Sequence, residues 1–274
     1  MAPWTETYRG SVAPWECDVT EHFTIAYYFH RVGLAEAALA DRLGLVETLR
    51  RGGFVRRYDV RFLRELRAGS AFHIESAALG GADALRLGHR IVDSASGEPT
   101  AWVDGHWEGV AAGLPADRLA AWDGPEFEPR GEPAELSRLV PSAAGRVEPG
   151  ELDEFGRLGL GGFVHSFTNA SVQSGARIGL TADFIKTGRR GFSTFELRLR
   201  IAGALGAGES FATRSGIVHL GNSSLRFLHV MRAVADGREV ARLGQYGVQL
   251  DLDARRPAAL SPEFRARAQA LLIE

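Results

Sequence analysis

The chain repeats its own residue order once, and this constrains the fold more than any other feature. Val12, Pro14 and Asp18 recur as Val147, Pro149 and Asp153, an offset of 135, and His30, Ala35 and Gly44 recur as His165, Ala170 and Gly179. Further along, the offset grows: Arg61, Leu66, Ala68, Gly69 and Phe72 answer to Arg200, Leu205, Ala207, Gly208 and Phe211. Leu85, Arg86, His89 and Gly97 then answer to Leu225, Arg226, His229 and Gly237. A repeat of this length describes a folding unit with its own core, used twice. We take residues 1–112 as the first unit, 113–144 as a connection and 145–274 as the second. The connection is marked by Pro115, Pro125, Pro129, Pro133 and Pro141, which favour extended structure.

Each unit reads as one helix followed by a run of strands. Phe23, Ala26, Tyr27, Val32, Ala35, Ala38 and Leu39 recur at helical spacing and predict a helix over 22–43, with Gly44 as its stop. Strands are expected at 54–64, 70–80, 84–93 and 99–108, separated by Gly-Gly and Ser-Gly turn signals. The second helix, expected over 158–179, carries Gly159, Gly161, Gly162 and Gly175. Interior glycines cost about 1 kcal/mol each, so packing must override propensity or a second backbone must come close. A short helix is a candidate over Pro115–Trp122, and Ser261-Pro262 begins a closing helix over 262–272. Helix followed by antiparallel strands is an α+β pattern.

Composition narrows the function classes. A formal net charge of -2 gives no electrostatic case for nucleic acid or an anionic membrane surface. No run of 18 apolar residues occurs, and the chain starts without a signal-like segment. With Cys17 as its only cysteine, no intrachain disulfide can form. A cytoplasmic protein that uses no metal or cofactor and handles a small molecule or protein partner is the expectation.

The stretch Val12-Ala-Pro-Trp-Glu-Cys-Asp18-Val-Thr-Glu-His22, running on to Tyr27-Tyr28, resembles the entry to the central helix of hotdog-fold thioesterases of the 4-hydroxybenzoyl-CoA thioesterase type. Val60-Arg-Phe-Leu-Arg-Glu-Leu-Arg-Ala-Gly69 resembles the strand and turn that follow it. The duplication is similar to double-hotdog acyl-CoA and acyl-carrier-protein thioesterases. The resemblance implies two long helices wrapped by antiparallel sheets that join as a pseudo-dimer, with sites between the halves. It also implies a catalytic aspartate and helix-terminal amides that hold the thioester oxygen. Relatives read Asp-x-x-Gly-His-x-Asn; here Glu21 and Thr24 stand for the glycine and asparagine, and the second copy has Gly156 but Arg157 for His22.

Thioester hydrolysis needs oxyanion stabilisation and a carboxylate that attacks or activates water. Asp18, His22 and Asp153 are the catalytic candidates, with the first copy favoured; both aspartates also suit helix caps or turns. Glu21, Thr24, Tyr27 and Tyr28 are candidate substrate contacts. Arg50-Arg51 and Arg189-Arg190, read as matching places in the two halves, are candidates for phosphate or an acidic carrier protein. The expected reaction is hydrolysis of an acyl-CoA or acyl-carrier-protein thioester. The alternatives are an acyl-binding hotdog without turnover and a hotdog hydratase or dehydratase. Sheet edges left by the pseudo-dimer leave room for a homo-oligomer.

Overall fold

The computed structural model describes residues 4–18, 20–80, 84–133, 135–254 and 256–273. The first half contains β1 (Thr5–Ser11), α1 (Ile25–Leu43), α2 (Val46–Arg51), β2 (Val55–Phe62), β3 (Ala71–Gly80), β4 (Ala84–Asp93) and β5 (Pro99–Glu108). The second contains β6 (Val140–Arg146), α3 (Leu160–Arg177), α4 (Ala182–Gly188), β7 (Arg190–Ile201), β8 (Ser210–Leu220), β9 (Ser224–Ala233) and β10 (Glu239–Asp251). The short β11 (Arg256–Pro257) and α5 (Pro262–Gln269) close the chain. The strands form one antiparallel sheet in the order β1-β3-β4-β5-β2-β7-β10-β9-β8-β6, with β11 beside β10. Read outward from its centre, each half repeats the same order. The halves join at β2 and β7, whose antiparallel register runs from Arg56 opposite Ile201 to Arg61 opposite Glu196. This is the tandem hotdog expected from the sequence.

The long helices lie on one face of that sheet. α1 buries Tyr28, Phe29, Val32, Ala35, Leu39 and Ala40 at three- and four-residue spacing. It starts later than its apolar pattern, because His22 and Phe23 are drawn into bridges with Arg67 and Cys17 and Thr24 becomes the cap. Gly44, at φ 74°, ends it in the left-handed conformation. The glycines of α3 have a packing reason. A Cβ on Gly161 would sit 2.8 Å from the Cβ and 3.1 Å from the Cα of His30, so glycine lets the two helices touch backbone to side chain. α1, α3 and the inward residues of both sheet halves, including Tyr58, Val60, Leu197 and Leu199, share one core.

The connection crosses the other sheet face. Trp122 packs edge-on to Trp102, with ring centres 5.2 Å apart. Further along, the Glu128 and Gly131 carbonyls accept from Arg198 and Arg226. Where a short helix was a candidate over Pro115–Trp122, a single 3-10 turn forms at Ala116–Arg118. The closing helix is capped by Ser261, whose hydroxyl accepts from the Phe264 amide.

The repeated histidines are framework. His89 and His229 are fully buried, each with Nδ1 2.6 Å from a serine hydroxyl, Ser76 and Ser215. Each serine in turn meets a hydroxyl on the edge strand, Thr7 at 2.7 Å and Ser142 at 2.6 Å. Burial pushes both imidazoles down to about 4, against which Asp104 acts weakly on His89 and Gln245 on His229. The unfolded chain therefore binds protons that the folded chain refuses between pH 6.5 and about 4. Stability falls as pH drops through that window, by up to about 1.4 kcal/mol per pH unit for each histidine. Chemical denaturation across this range should show that slope, and His229→Gln should remove about one proton of it. An unchanged slope in the variant would refute the assignment.

Candidate active site between the two modules

The Cys17–Phe23 turn of the first copy and the Leu152–Leu158 turn of the second are built alike. Asp18 Oδ1 accepts from the Thr20 amide at 2.7 Å, the Thr20 hydroxyl at 2.6 Å and the His22 amide at 3.2 Å. Asp153 Oδ1 accepts from the Phe155 and Arg157 amides at 2.9 and 3.0 Å. Each aspartate thus organises a tight loop ahead of its helix. Position 21 of that loop is left-handed: Glu21 has φ 65° where its counterpart Gly156 has φ 77°. The missing glycine of the first motif therefore puts an ordinary side chain in a conformation that suits glycine.

The two aspartates differ in what they face. A cavity of about 690 Å³ runs along the helix crossing between the modules, lined by Asp153, Glu36, Arg56, His30, Gly161 and Gly162 among others. Thr24 and Tyr27 line it too, and so does Cys17, whose thiol burial pushes up in pKa. Asp18, Glu21 and His22 are not among its lining residues. They form a cluster of their own, in which the Thr20 hydroxyl links Asp18 to His22 Nδ1 at 3.0 Å and His22 Nε2 lies 3.0 Å from Glu65. Tyr28 is buried in the core, where its hydroxyl accepts from the Leu66 amide at 3.3 Å.

Sequence reasoning passed over the most unusual part of the cavity. Glu36 lies on the buried face of α1, only 2% exposed, and the Tyr58 hydroxyl stands 2.9 and 2.8 Å from its two oxygens. Arg56 Nη1 is 3.8 Å away. Burial raises the Glu36 carboxyl above its usual range, opposed by Arg56 and Tyr58. Burial also works against the charge on Arg56, but Tyr58, Glu36 and Asp153 together hold its pKa above normal. Asp153 thus feels the guanidinium of a strand in the other module. The signal for Glu36 was present as a carboxylate among Val32, Ala35 and Leu39 on an apolar stripe, which rarely survives unless it is paired.

At the start of α3, Gly159 donates to the Glu151 carbonyl and Phe163 to the Gly159 carbonyl. The intervening amides of Leu160, Gly161 and Gly162 belong to the first turn, where a helix has no internal acceptors for them, and all three residues line the cavity. A side chain on Gly162 would strike Leu158 at 2.4 Å, so glycine here lets the aspartate loop close onto the helix.

The arginine pairs are not equivalent, contrary to the sequence reading. Arg50 and Arg51 close α2 ahead of Gly52, at φ 59°, whereas Arg189 itself takes the left-handed position after α4, at φ 49°, and Arg190 begins β7. The pairs share the offset of 139 found in the strand that follows, so backbone conformation and not place in the repeat separates them. Arg189 and Arg190 pair with Asp253 and Asp251 at 2.8 and 2.7 Å. Arg50 stacks 5.7 Å from the ring of Phe155, which lines the cavity. Among the described residues no group of three or more His, Cys, Asp or Glu side chains is placed to hold a metal ion. No described helix is long and apolar enough to cross a membrane.

Replacing Glu21 with glycine should relieve the strained turn and raise stability by about 1 kcal/mol. A denaturation midpoint equal to wild type would show that the turn stores no such cost.

Comparison with known proteins agrees with this architecture. Residues 147–268 match the family model of the thioesterase-like superfamily. Curated protein sequences give no match. Among solved structures, an acyl-ACP thioesterase from Bacteroides thetaiotaomicron superposes with a TM-score of 0.66 at 10% identity, covering 88% of this chain and 96% of its own. A provisionally named oleoyl thioesterase from Lactobacillus plantarum gives 0.66 at 14% identity, covering 91% and 98%. The 12:0-ACP thioesterase of Umbellularia californica gives 0.58 at 13%, covering 88% and 93%. The family model thus covers the second module, and the chain shares the double-hotdog fold of these structures over most of its length.

Proposed function

We propose that this protein hydrolyses acyl thioesters, of coenzyme A or of acyl-carrier protein, in the cavity between its modules, with Asp153 as the working carboxylate. The observation that carries this reading is that Asp153, the first-turn residues of α3 and the buried Glu36–Arg56 pair line one cavity. The family match and the acyl-ACP thioesterase neighbours support the same chemistry.

The chemistry follows from the placement. Amides at a helix N-terminus lie at the positive end of its dipole and suit a developing oxyanion. Asp153, close to the Arg56 guanidinium, takes the proton of a water that attacks the thioester carbon. The carbon–sulfur bond breaks, the acid leaves as carboxylate and the thiolate takes up a proton. Glu36, raised by burial, is the second carboxyl that exchanges protons in the cavity. Thr24 and Tyr27 lie along the same cavity as acyl contacts.

One observation favours a second reading, an acyl-binding protein without turnover: Arg157 Nε lies 3.3 Å from Asp153 Oδ2 and occupies the oxygen that catalysis would use.

Thiol release from short, medium, long and aromatic acyl-CoAs and from acyl-carrier protein separates the two. Hydrolysis predicts free thiol from at least one substrate. Asp153→Asn should then lower kcat by about 100-fold or more, while Asp18→Asn keeps most of the turnover. The opposite ranking would move the site to the first copy. No thiol from any substrate, together with binding of a nonhydrolysable acyl-CoA, would establish the binding reading.

A further inference from the structure

The second sheet face carries a separate feature. Strand alternation turns Leu197 and Leu199 toward the helices and Glu196 and Arg198 the other way, toward the connection. Glu196 is fully buried there. Arg61 from the first module reaches it at 2.7 Å, Arg198 at 3.2 Å and Arg130 of the connection at 3.6 Å. The nearby Asp59 is shared between Arg198, at 3.4 Å, and Arg57, at 3.6 Å. Arg226 adds another guanidinium, whose Nη1 donates to the Gly131 carbonyl. Glu132 also acts on Arg226, but its carboxylate is held by Arg242. Arg130 also pairs with Glu128 at 4.0 Å, Arg57 with Glu108 at 3.9 Å and Arg242 with Glu239 at 2.7 Å, so that among the described residues Arg226 is the guanidinium of this group without a carboxylate at ion-pair distance.

Beside this cluster is a cavity of about 340 Å³ lined by Arg130, Arg226, Tyr246, His219, Ser224 and Phe195, with others. The Tyr246 ring is sandwiched between two guanidiniums, whose carbons lie 4.9 Å (Arg130) and 4.8 Å (Arg226) from its centre. Tyr246 and Arg226 are each only 5% exposed, yet the Tyr246 hydroxyl and Arg226 Nε have no hydrogen-bond partner among the described residues. Arg130 Nε and Arg61 Nε are also buried without a hydrogen bond, Arg130 Nε standing 3.6 Å from the Glu196 carboxylate. A buried donor left unmade costs about 1–3 kcal/mol, and the two without any nearby acceptor, on Arg226 and Tyr246, belong to residues that line this cavity.

We propose that this cavity is a second ligand site, on the sheet face opposite the helices, that binds a phosphate group, free or as the monoester of a small molecule. A phosphate supplies the acceptor oxygens that the Arg226 and Tyr246 donors lack and the negative charge that Arg226 lacks. The connection provides one wall through Pro129, Arg130 and Gly131, so occupancy ties it to the sheet. The site shares no lining residue with the inter-module cavity and does not depend on the reaction proposed there.

Calorimetric titration of the full chain with inorganic phosphate and with ribose 5-phosphate, at ionic strength fixed with chloride, tests this. One site per chain is expected, with affinity millimolar or tighter for at least one of the two. Tighter binding of the sugar phosphate would identify a monoester as the ligand, and tighter binding of phosphate the free ion. Arg226→Gln should weaken binding by about tenfold and Tyr246→Phe by about threefold. Asp153→Asn should bind as wild type does. Without ligand, Tyr246→Phe should melt at or above the wild-type temperature, since the hydroxyl it removes has no partner. If Arg226→Gln does not fold, Arg130→Gln takes its place. Heats indistinguishable from chloride for both ligands, or undiminished binding in Tyr246→Phe and in the arginine variant, would overturn the proposal.

Discussion

The β2–β7 pairing is the contact on which everything else in this molecule rests. Its antiparallel register makes one sheet of two and sets both faces at once. On the helix side the seam strand β2 delivers Arg56 and Tyr58 to Glu36 and toward the Asp153 loop of the other module. On the outer side the same pairing places Arg61 against Glu196 and Asp59 against Arg198. A residue shift in this register would exchange the faces of every seam side chain and dismantle both clusters.

The two copies have diverged in complementary ways. The second keeps glycine at the left-handed turn position and has a run of glycines at the start of its helix, so its aspartate loop packs closely against first-turn amides. The first has Glu21 in that turn and a self-contained Asp18–Thr20–His22–Glu65 cluster. It contributes instead the acid on the helix, Glu36. At the position offset by 135 residues the second helix has Ser171, bound to Gln245 at 2.8 Å. The aspartate loop and the buried acid that line the cavity therefore come from different copies.

Much of the fold could be read from the chain itself. The repeat, the Gly44 stop, the four strands of the first half and the Ser261 cap are local or periodic features, and the structure has them near the expected positions. The helix starts moved by two or three residues because bridges from the preceding loops compete for the first turn. The arginine pairs align at the offset of the following strand, yet backbone conformation at Gly52 and Arg189 distinguishes them.

What the residue order specified was the pair of units and the motif that announces each one, since apolar period, turn chemistry and internal similarity act over short distances along the chain. Which aspartate faces a cavity was decided only in three dimensions. Asp18 and Asp153 make nearly the same hydrogen bonds to the backbone, which shape each loop without deciding what it faces. The difference comes from residues far away in sequence: Arg56 and Glu36 line the same cavity as Asp153, brought there by the seam and by the helix contact at Gly161. The repeated aspartate was legible as a loop motif, but its surroundings belong to the packing of one module against the other.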